Sequence, residues 1–468
     1  MEKLYIPLSK IVYDQSIYPR FQIDRKRVDI FIENIKDGFN FEPIEVEKHP
    51  DETGKYRILD GVHRWNAYKS NGVEKINAII KDLKGNSALL YSASKAIGPK
   101  QLLEEEAKET ARIAYKNDSK ISVAKISRSI GRSSRTVARY ISDLKAVYEQ
   151  GLDIKIFKMT KLGIPQDRVA FILDIPQRTL SNRIEKLTEM IKPIKSDLAK
   201  GFSVSQIAKK YDCSESMILS IKFEIKNDLE IFKSLKWGLR TWDYWHWSNC
   251  DQRFGEDWPG RIPAQLVGHI LFFFSKQNDL VIDPMGGGGV TPDTCLVFNR
   301  KCWTFDLIDS KDKRPEIEQY YWDRNNLKWP VKGKSKPDII IFDPPYYDKK
   351  SDDYDPKSIS NLSVTDYLTF LKEFCLLLNR NSKQGTRFAF INADWRDFQS
   401  TSALNESTEN AILIDDYLSI IKKAGWQRTH IIQAPLPSER FNAGVVSAMQ
   451  KKRILGVTSR YVIISVKK

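Results

Sequence analysis

An apolar run that stops at an acid and is followed almost at once by four glycines limits this chain more than any other feature. In "NDLVIDPMGGGGVTPDTCLVFNRKCWTFDLID" a strand ends at Asp283, a turn holds Gly286 to Gly289, a helix begins near Thr291, and the next strand ends at Asp306. Strand, turn, helix and strand in that order make the first βαβ unit of a parallel, Rossmann-like sheet. Its glycines let the backbone approach a ligand closely, and an acid 20 residues after Gly286 can hold a ribose. Read alone, the glycine cluster serves a dinucleotide equally well.

A second apolar run ends in the same way. In "PDIIIFDPPYYDKK" the residues Ile339 to Phe342 read as a buried parallel strand that stops at Asp343. Pro344 and Pro345 donate no backbone hydrogen bond and fix φ, so the loop at the strand's carboxyl end is rigid and its carbonyls can accept from a ligand. Tyr346 and Tyr347 add flat faces. A carboxylate, a proline carbonyl and an aromatic ring in one rigid loop suit a planar base that carries an amino group.

The rest of the chain adds modules. With 468 residues it has room for two to four domains. A formal charge of +15 favours an anionic partner such as nucleic acid. The five cysteines form no CxxC pair and have no histidine at ligand spacing, which points to a reducing, cytoplasmic setting and to no metal site. "LVGHILFFFS" falls far short of the roughly 20 residues a membrane span needs, so no membrane association is expected.

Residues 1–84 alternate short strand-like runs ("KLYIPL", "PIEVEK", "YRILDG") with helical patterns, as a small α+β domain does. A charged helical linker covers 85–118. Three stretches of similar shape then follow over 119–230: "KISRSIGRSSRTVARYISDL", "RVAFILDIPQRTLSNRIEKL" and "QIAKKYDCSESMILSIKFEI". Each has an apolar helix, a turn residue (Gly131, Asp174, Asp212), a few polar residues and a second helix, the pattern of a helix-turn-helix. The second helix of such a motif offers its early residues to base edges. Here those are Ser133, Ser134, Arg135 and Arg139, then Gln177, Arg178, Ser181 and Asn182, then Ser214, Glu215 and Ser216. Between Ser119 and Glu224, 20 Lys/Arg face 11 Asp/Glu, so most of the chain's excess charge coincides with these readers. A purely structural helical bundle is the other reading of this region. The tryptophans that follow, from Trp237 to Trp258, read as packing surface.

In the order "DPMGGGG", Asp306, "DPPY", the chain resembles the DNA amino-methyltransferases that use S-adenosylmethionine to modify an exocyclic amine of adenine or cytosine. The resemblance covers about 237–468 within an expected methyltransferase domain at 231–468. "RIPAQLVGHILFFFS" is similar to that family's cofactor-embracing helix, and "THIIQAPLP" through "KKRILGVTSRYVIISVKK" to its closing hairpin. The commoner Gly-Ser-Gly is replaced by "GGGG". The resemblance implies cofactor contacts from Asp283, Pro284, Gly286, Gly287, Gly288, Thr291 and Asp306, and catalysis by Asp343, Pro344, Pro345 and Tyr346. Asp343 and the Pro344 carbonyl would accept both amine hydrogens, making the nitrogen more tetrahedral and aiming its lone pair at the sulfonium methyl. Tyr346 would stack on a base flipped from the duplex. An aspartate at the head of the motif favours adenine over cytosine.

Over 1–84, "IYPRFQID" and "YRILDGVHRWNAYKSNG" resemble the ParB/sulfiredoxin fold, in which the matching turn receives nucleotide phosphates. Gly61, His63 and Arg64, with Arg20, are the candidate phosphate contacts. Val62 stands where sulfiredoxins need a cysteine, and Val62-His63 replaces the usual Glu-Arg of the ParB group, so neither redox repair nor CTP hydrolysis is expected. The expectation is thus a multidomain α/β DNA methyltransferase: a ParB/sulfiredoxin-like domain, a helix-turn-helix middle and a Rossmann-like end. Its partners would be double-stranded DNA and a nucleotide at the first domain, with a homodimer among the oligomeric states left open; its setting would be cytoplasmic, nucleoid-associated in a prokaryote, and compatible with restriction-modification. The alternative is a ParB-like, nucleotide-switched DNA-binding regulator with a degenerate methyltransferase domain. The intact Asp306 and Asp343-Pro344-Pro345-Tyr346 set argue against degeneration.

Overall fold

The structure, a computed structural model, describes residues 3–97, 101–330, 335–347, 355–396, 411–436 and 442–468. It divides into two compact units between Gln150 and Gly151. The 20-residue helix Ser142–Lys161 crosses that division. The segment 119–230 therefore falls partly in each unit. Residues 348–354, which follow the second proline motif, lie outside the described residues.

The first unit opens with a five-stranded sheet in the spatial order Lys3–Pro7, Lys75–Ile80, Ile44–Lys48, Tyr56–Asp60, Ile11–Val12. Alternation along Ile44–Lys48 sends Ile44 and Val46 into a core shared with Ile6, Ile58, Trp65 and Ile76. Helices Arg25–Lys36 and Val62–Ser70 pack together beside it. Helices Ala88–Lys95, Glu104–Asn117, Val123–Ile130 and Ser134–Tyr140 follow and share a second core around Ala111, Ile126, Ile130 and Val137. Ser122 and Ser133 cap the last two helices by accepting from backbone amides three residues on.

The second unit continues with two further helix pairs, Gln166–Leu173 with Gln177–Ala199 and Val204–Tyr211 with Glu215–Lys222. All three turn positions marked by the repeat hold left-handed backbone: Gly131 at φ +64°, Asp174 at +50° and Asp212 at +51°. Glycine adopts that conformation without strain and Asp is among the few side chains that tolerate it, which explains why the repeat conserves shape with so few shared letters.

These helices dock against a seven-stranded sheet. Its spatial order is Trp426–Gln433, Arg460–Lys467, Arg387–Ala393, Ile339–Phe342, Leu280–Asp283, Lys301–Asp306, Ile317–Gln319. The five strands from Arg387–Ala393 to Ile317–Gln319 are parallel, and Arg460–Lys467 runs antiparallel to both of its neighbours. Leu280–Asp283 and Ile339–Phe342 are buried along their whole length, as central parallel strands covered on both faces must be. Docking is polar as well as apolar: the Cys302 amide donates to the Leu162 carbonyl at 2.9 Å and Trp303 Nε1 to that of Gly163 at 3.0 Å. Arg300, 1% exposed, makes a forked pair with Asp228 at 2.6 and 2.8 Å and also donates to the carbonyls of Leu271, Ser275 and Phe298.

Among the described residues no helix is long and apolar enough to cross a membrane, and no cluster of His, Cys, Asp or Glu could hold a metal ion. All five cysteines are free thiols.

Candidate active site

Strand Leu280–Asp283 lies between Ile339–Phe342 and Lys301–Asp306, and the three strands end in, or are followed directly by, Asp283, Asp343 and Asp306. The chain leaves the sheet in opposite directions on either side of the central strand, and a crevice opens at the carboxyl ends, where open α/β sheets hold their ligands. Here it is a cavity of about 720 Å³ lined by all three aspartates, by Gly286, Gly287, Gly288 and Thr291, and by Pro344, Pro345 and Tyr346. Most of its wall is apolar.

The glycine turn is shaped by close neighbours. Gly287, at φ +48°, donates its amide to Asp306 Oδ2 at 2.8 Å, and Gly286 donates to the Phe305 carbonyl at 2.9 Å. A Cβ on Gly287 or Gly288 would run into Trp258, whose indole lies over the turn and lines the cavity. Asp306 Oδ1 accepts from the Ile308 amide. Asp283 accepts from the Met285 amide at 3.1 Å and from Thr291, which is buried at the start of the helix Val290–Val297. Pro284 and Gly289 are not among the described lining residues; the Pro284 carbonyl receives Trp322 Nε1 at 2.9 Å.

On the other side, the Tyr346 hydroxyl donates to Asp343 Oδ1 at 2.9 Å. The Pro345 carbonyl accepts from Tyr367, whose hydroxyl also receives Asn392 Nδ2, so a chain of buried hydrogen bonds holds the proline loop still. Burial pushes the Asp343 carboxyl up to about 7 and the Asp283 carboxyl also up to about 7, with nearby Asp343 and Asp306 adding to the latter. Asp306 is raised by burial too. Burial thus disfavours the charged form of all three carboxyls on this apolar cavity, and a cation bound beside one of them would favour its ionised form.

Sequence reasoning missed several parts of this site. Arg460, 5% exposed, lines the cavity with its Nε held by the Ala434 carbonyl, and its charge works against the rise of the Asp343 carboxyl. Nothing in "VTSRYVI" marks it, because only the antiparallel pairing of Arg460–Lys467 with Arg387–Ala393 brings it there. Trp247 and Trp258, read as packing surface, line the cavity, whereas Trp237 and Trp245 are buried. His269 is fully buried, accepts from the Arg240 amide and has its charged form suppressed to about 4 by burial, a structural role.

Of the candidate DNA readers, Arg135, Gln177, Arg178 and Asn182 lie on early helical turns, whereas Arg139 lies in the last turn of its helix. Arg135 and Arg139 are exposed on Ser134–Tyr140, with Arg139 3.8 Å from Glu104. Gln177, Arg178 and Asn182 are exposed on the first turns of Gln177–Ala199. In the third pair, Ser214 is a helix cap and Ser216 is fully buried, which removes it from any outward-facing surface.

In the first unit Gly61, at φ +99°, starts the helix Val62–Ser70, and a Cβ there would meet Ile44 at 2.6 Å. The Arg64 guanidinium is engaged by protein acceptors: Asp60 at 2.7 Å and the carbonyls of Glu42 and Pro43 at 2.6 and 3.3 Å. His63 Nε2 accepts from the Asp24 amide at 3.1 Å, and Arg20 lies 3.8 Å from Glu106.

Comparison with known proteins finds the family model of the ParB N-terminal domain over residues 2–94. The nucleoid occlusion protein of Bacillus subtilis (strain 168) is 26% identical over 202 residues, 40% of this chain and 70% of that protein. The chromosome-partitioning protein ParB of Myxococcus xanthus (strain DK1622) is 26% identical over 170 residues, 35% of this chain and 55% of that protein. Among solved structures, TrmN from Thermus thermophilus overlaps 44% of this chain and 49% of its own at 13% identity, with a TM-score of 0.26, too low to establish a shared fold.

Proposed function

We propose that the chain is an S-adenosylmethionine-dependent methyltransferase that acts on an exocyclic amino group of DNA, with adenine favoured. The observation that carries this reading is the convergence of Asp283, Asp306 and Asp343 with the glycine turn and the Pro344-Pro345-Tyr346 loop on one apolar cavity of about 720 Å³. The cofactor fits that chemistry: its sulfonium and ammonium are cations for Asp283, and Asp306 at the glycine turn suits a ribose. Bound there, S-adenosylmethionine supplies the electrophilic methyl group.

The chain's own residues do the rest. Asp343 and the Pro344 carbonyl accept hydrogen bonds from the two amine hydrogens and turn the nitrogen lone pair toward the methyl, and the Asp343 carboxylate is placed to receive the one proton that the methylated nitrogen sheds. The hydrogen bond from Tyr367 to Pro345 keeps those acceptors in place without reorganisation during the reaction. Tyr346 gives the flipped base a ring to stack on. Exposed cations on the early turns of Ser134–Tyr140 and Gln177–Ala199 provide phosphate and groove contacts, which agrees with relatives named for nucleoid occlusion and chromosome partitioning.

For the first unit we infer a DNA-associated module of the ParB type in which Arg64 acts as scaffold, since Asp60 and the carbonyls of Glu42 and Pro43 hold both of its terminal nitrogens. Nucleotide binding there would require Arg64 to exchange these partners for phosphate. Transfer of labelled methyl groups from S-adenosylmethionine to duplex DNA tests the main reading. The wild-type chain should label DNA and Asp343→Ala should not; equal labelling by both would remove the assignment.

A further inference from the structure

Behind the glycine turn sits a cluster of four charged side chains, none of them among the described residues that line the cavity. Lys158, Asp293, Arg314 and Glu316 are 8%, 2%, 5% and 2% exposed. Lys158 Nζ lies 2.9 Å from Asp293 and 2.8 Å from Glu316. Arg314 donates from Nε to Glu316 at 2.6 Å and from Nη2 to Asp293 at 2.9 Å. Its fork also reaches the turn itself, with Nη1 on the Gly288 carbonyl and Nη2 on the Gly289 carbonyl, each at 3.0 Å. The other Asp293 oxygen receives the Gly255 amide at 2.8 Å, and the exposed Glu256 lies 3.6 Å from Arg314.

Two cations and two anions balance in this buried cluster. Burial works against the Arg314 charge, but Asp293 and Glu316 hold its pKa above the ordinary value; Glu316, despite its own burial, is held down to about 2 by Lys158 and Arg314. Lys158 is the member from outside the sheet, carried by the helix Ser142–Lys161. We propose that Lys158 is a positioning residue for the cofactor turn, acting through Asp293, Glu316 and Arg314 on the carbonyls of Gly288 and Gly289.

The physical case is one of competition for a single guanidinium. With Lys158 neutralising part of both carboxylates, Arg314 can serve two carboxylates and two carbonyls at once. Without it a net negative charge is buried, and the least costly relief draws Arg314 toward the carboxylates and off the carbonyls. Gly286 to Gly288 form the cavity wall, so the turn would lose the shape that admits the cofactor. The chemistry at Asp343 would be untouched. The helix Ser142–Lys161 is then part of the cofactor site's support, although none of its residues is among the described residues that line the cavity. This rests on the methyltransferase reading.

The test is calorimetry of the full chain with S-adenosylmethionine, joined to steady-state methyl transfer. Lys158→Met should raise the cofactor Kd and KM by about 10-fold, the scale at which supporting contacts of a ligand site act. Turnover at saturating cofactor should stay within about twofold, since no transition-state contact is removed. Lys158→Arg should restore affinity, which a merely structural role would not require. If Lys158→Met fails to fold, Lys158→Gln, which keeps a donor for one carboxylate but not the charge, takes its place with the same expected loss of affinity. Wild-type affinity in the foldable variant overturns the proposal, as does an equal fall in turnover at saturation. Failure of the wild-type chain to bind S-adenosylmethionine at all would instead overturn the methyltransferase reading, and this inference with it.

Discussion

The Tyr346 hydroxyl donates to Asp343 Oδ1 at 2.9 Å, so the ring proposed to stack on the target base rests on the carboxylate proposed to receive its amine. An incoming amine must displace that hydroxyl from the acceptor. Tyr346→Phe keeps the ring and should leave turnover within about threefold, whereas Tyr346→Ala should weaken productive DNA binding by the ~1–3 kcal/mol of one base-stacking contact. Steady-state kinetics of both variants separate the two roles; equal losses would mean that the hydroxyl, rather than the ring, carries the function.

Asp343→Ala removes one of two amine acceptors and should lower turnover by about 100-fold or more, on the scale of a lost transition-state contact. Cofactor affinity measured by calorimetry should change little. Loss of cofactor binding with residual chemistry intact would move Asp343 from the amine to the cofactor.

The raised Asp283 and Asp343 carboxyls fix the direction of a pH effect. Each has a folded pKa of about 7, well above its unfolded value, so the folded chain binds more protons than the unfolded chain between roughly pH 4 and pH 7. The stability these groups contribute is complete below pH 4 and is lost as pH rises through 7. A cation in the cavity favours the ionised form of Asp283, so S-adenosylmethionine affinity should rise from pH 5.5 to pH 8 (about the range this carboxyl titrates). Thermal melts across that range should show Asp343→Asn losing part of the pH dependence; an unchanged profile contradicts the assignment.

Arg178 stands exposed on the first turn of Gln177–Ala199. Arg178→Ala should weaken DNA binding and reduce the slope of log K against log salt by about 1 if it meets a phosphate, or relax selectivity at one base pair if it meets a base edge. Fluorescence anisotropy across a salt series reads both. Unchanged affinity, slope and selectivity would remove Arg178 from the interface.

What the sequence made legible follows from chemistry that is local in the chain. The glycine turn, the strand ends at Asp283 and Asp306, and the Asp343-Pro344-Pro345-Tyr346 loop are all contiguous motifs, and the parallel sheet order brings their ends to one crevice. The turn positions Gly131, Asp174 and Asp212 were legible because left-handed backbone admits few residue types. Arg460, Trp258 and the four-charge cluster were not, since each depends on contacts between segments far apart in sequence. The division after Gln150 was hidden for a related reason: a continuous helix crosses it, so no break in composition marks the place. Arg64 shows a further case, a local pattern suited to phosphate whose guanidinium also reaches Asp60 and the carbonyls of Glu42 and Pro43, contacts that no local pattern marks.

The central claim is that this cavity methylates an amino group of DNA, and mass spectrometry of nucleosides tests it most directly. Duplex DNA incubated with the full chain and S-adenosylmethionine, then digested, should contain N6-methyladenine above the level left by Asp343→Ala. N4-methylcytosine instead would keep the chemistry and overturn the preference for adenine. No methylated nucleoside, from protein shown by calorimetry to bind the cofactor, would contradict the account.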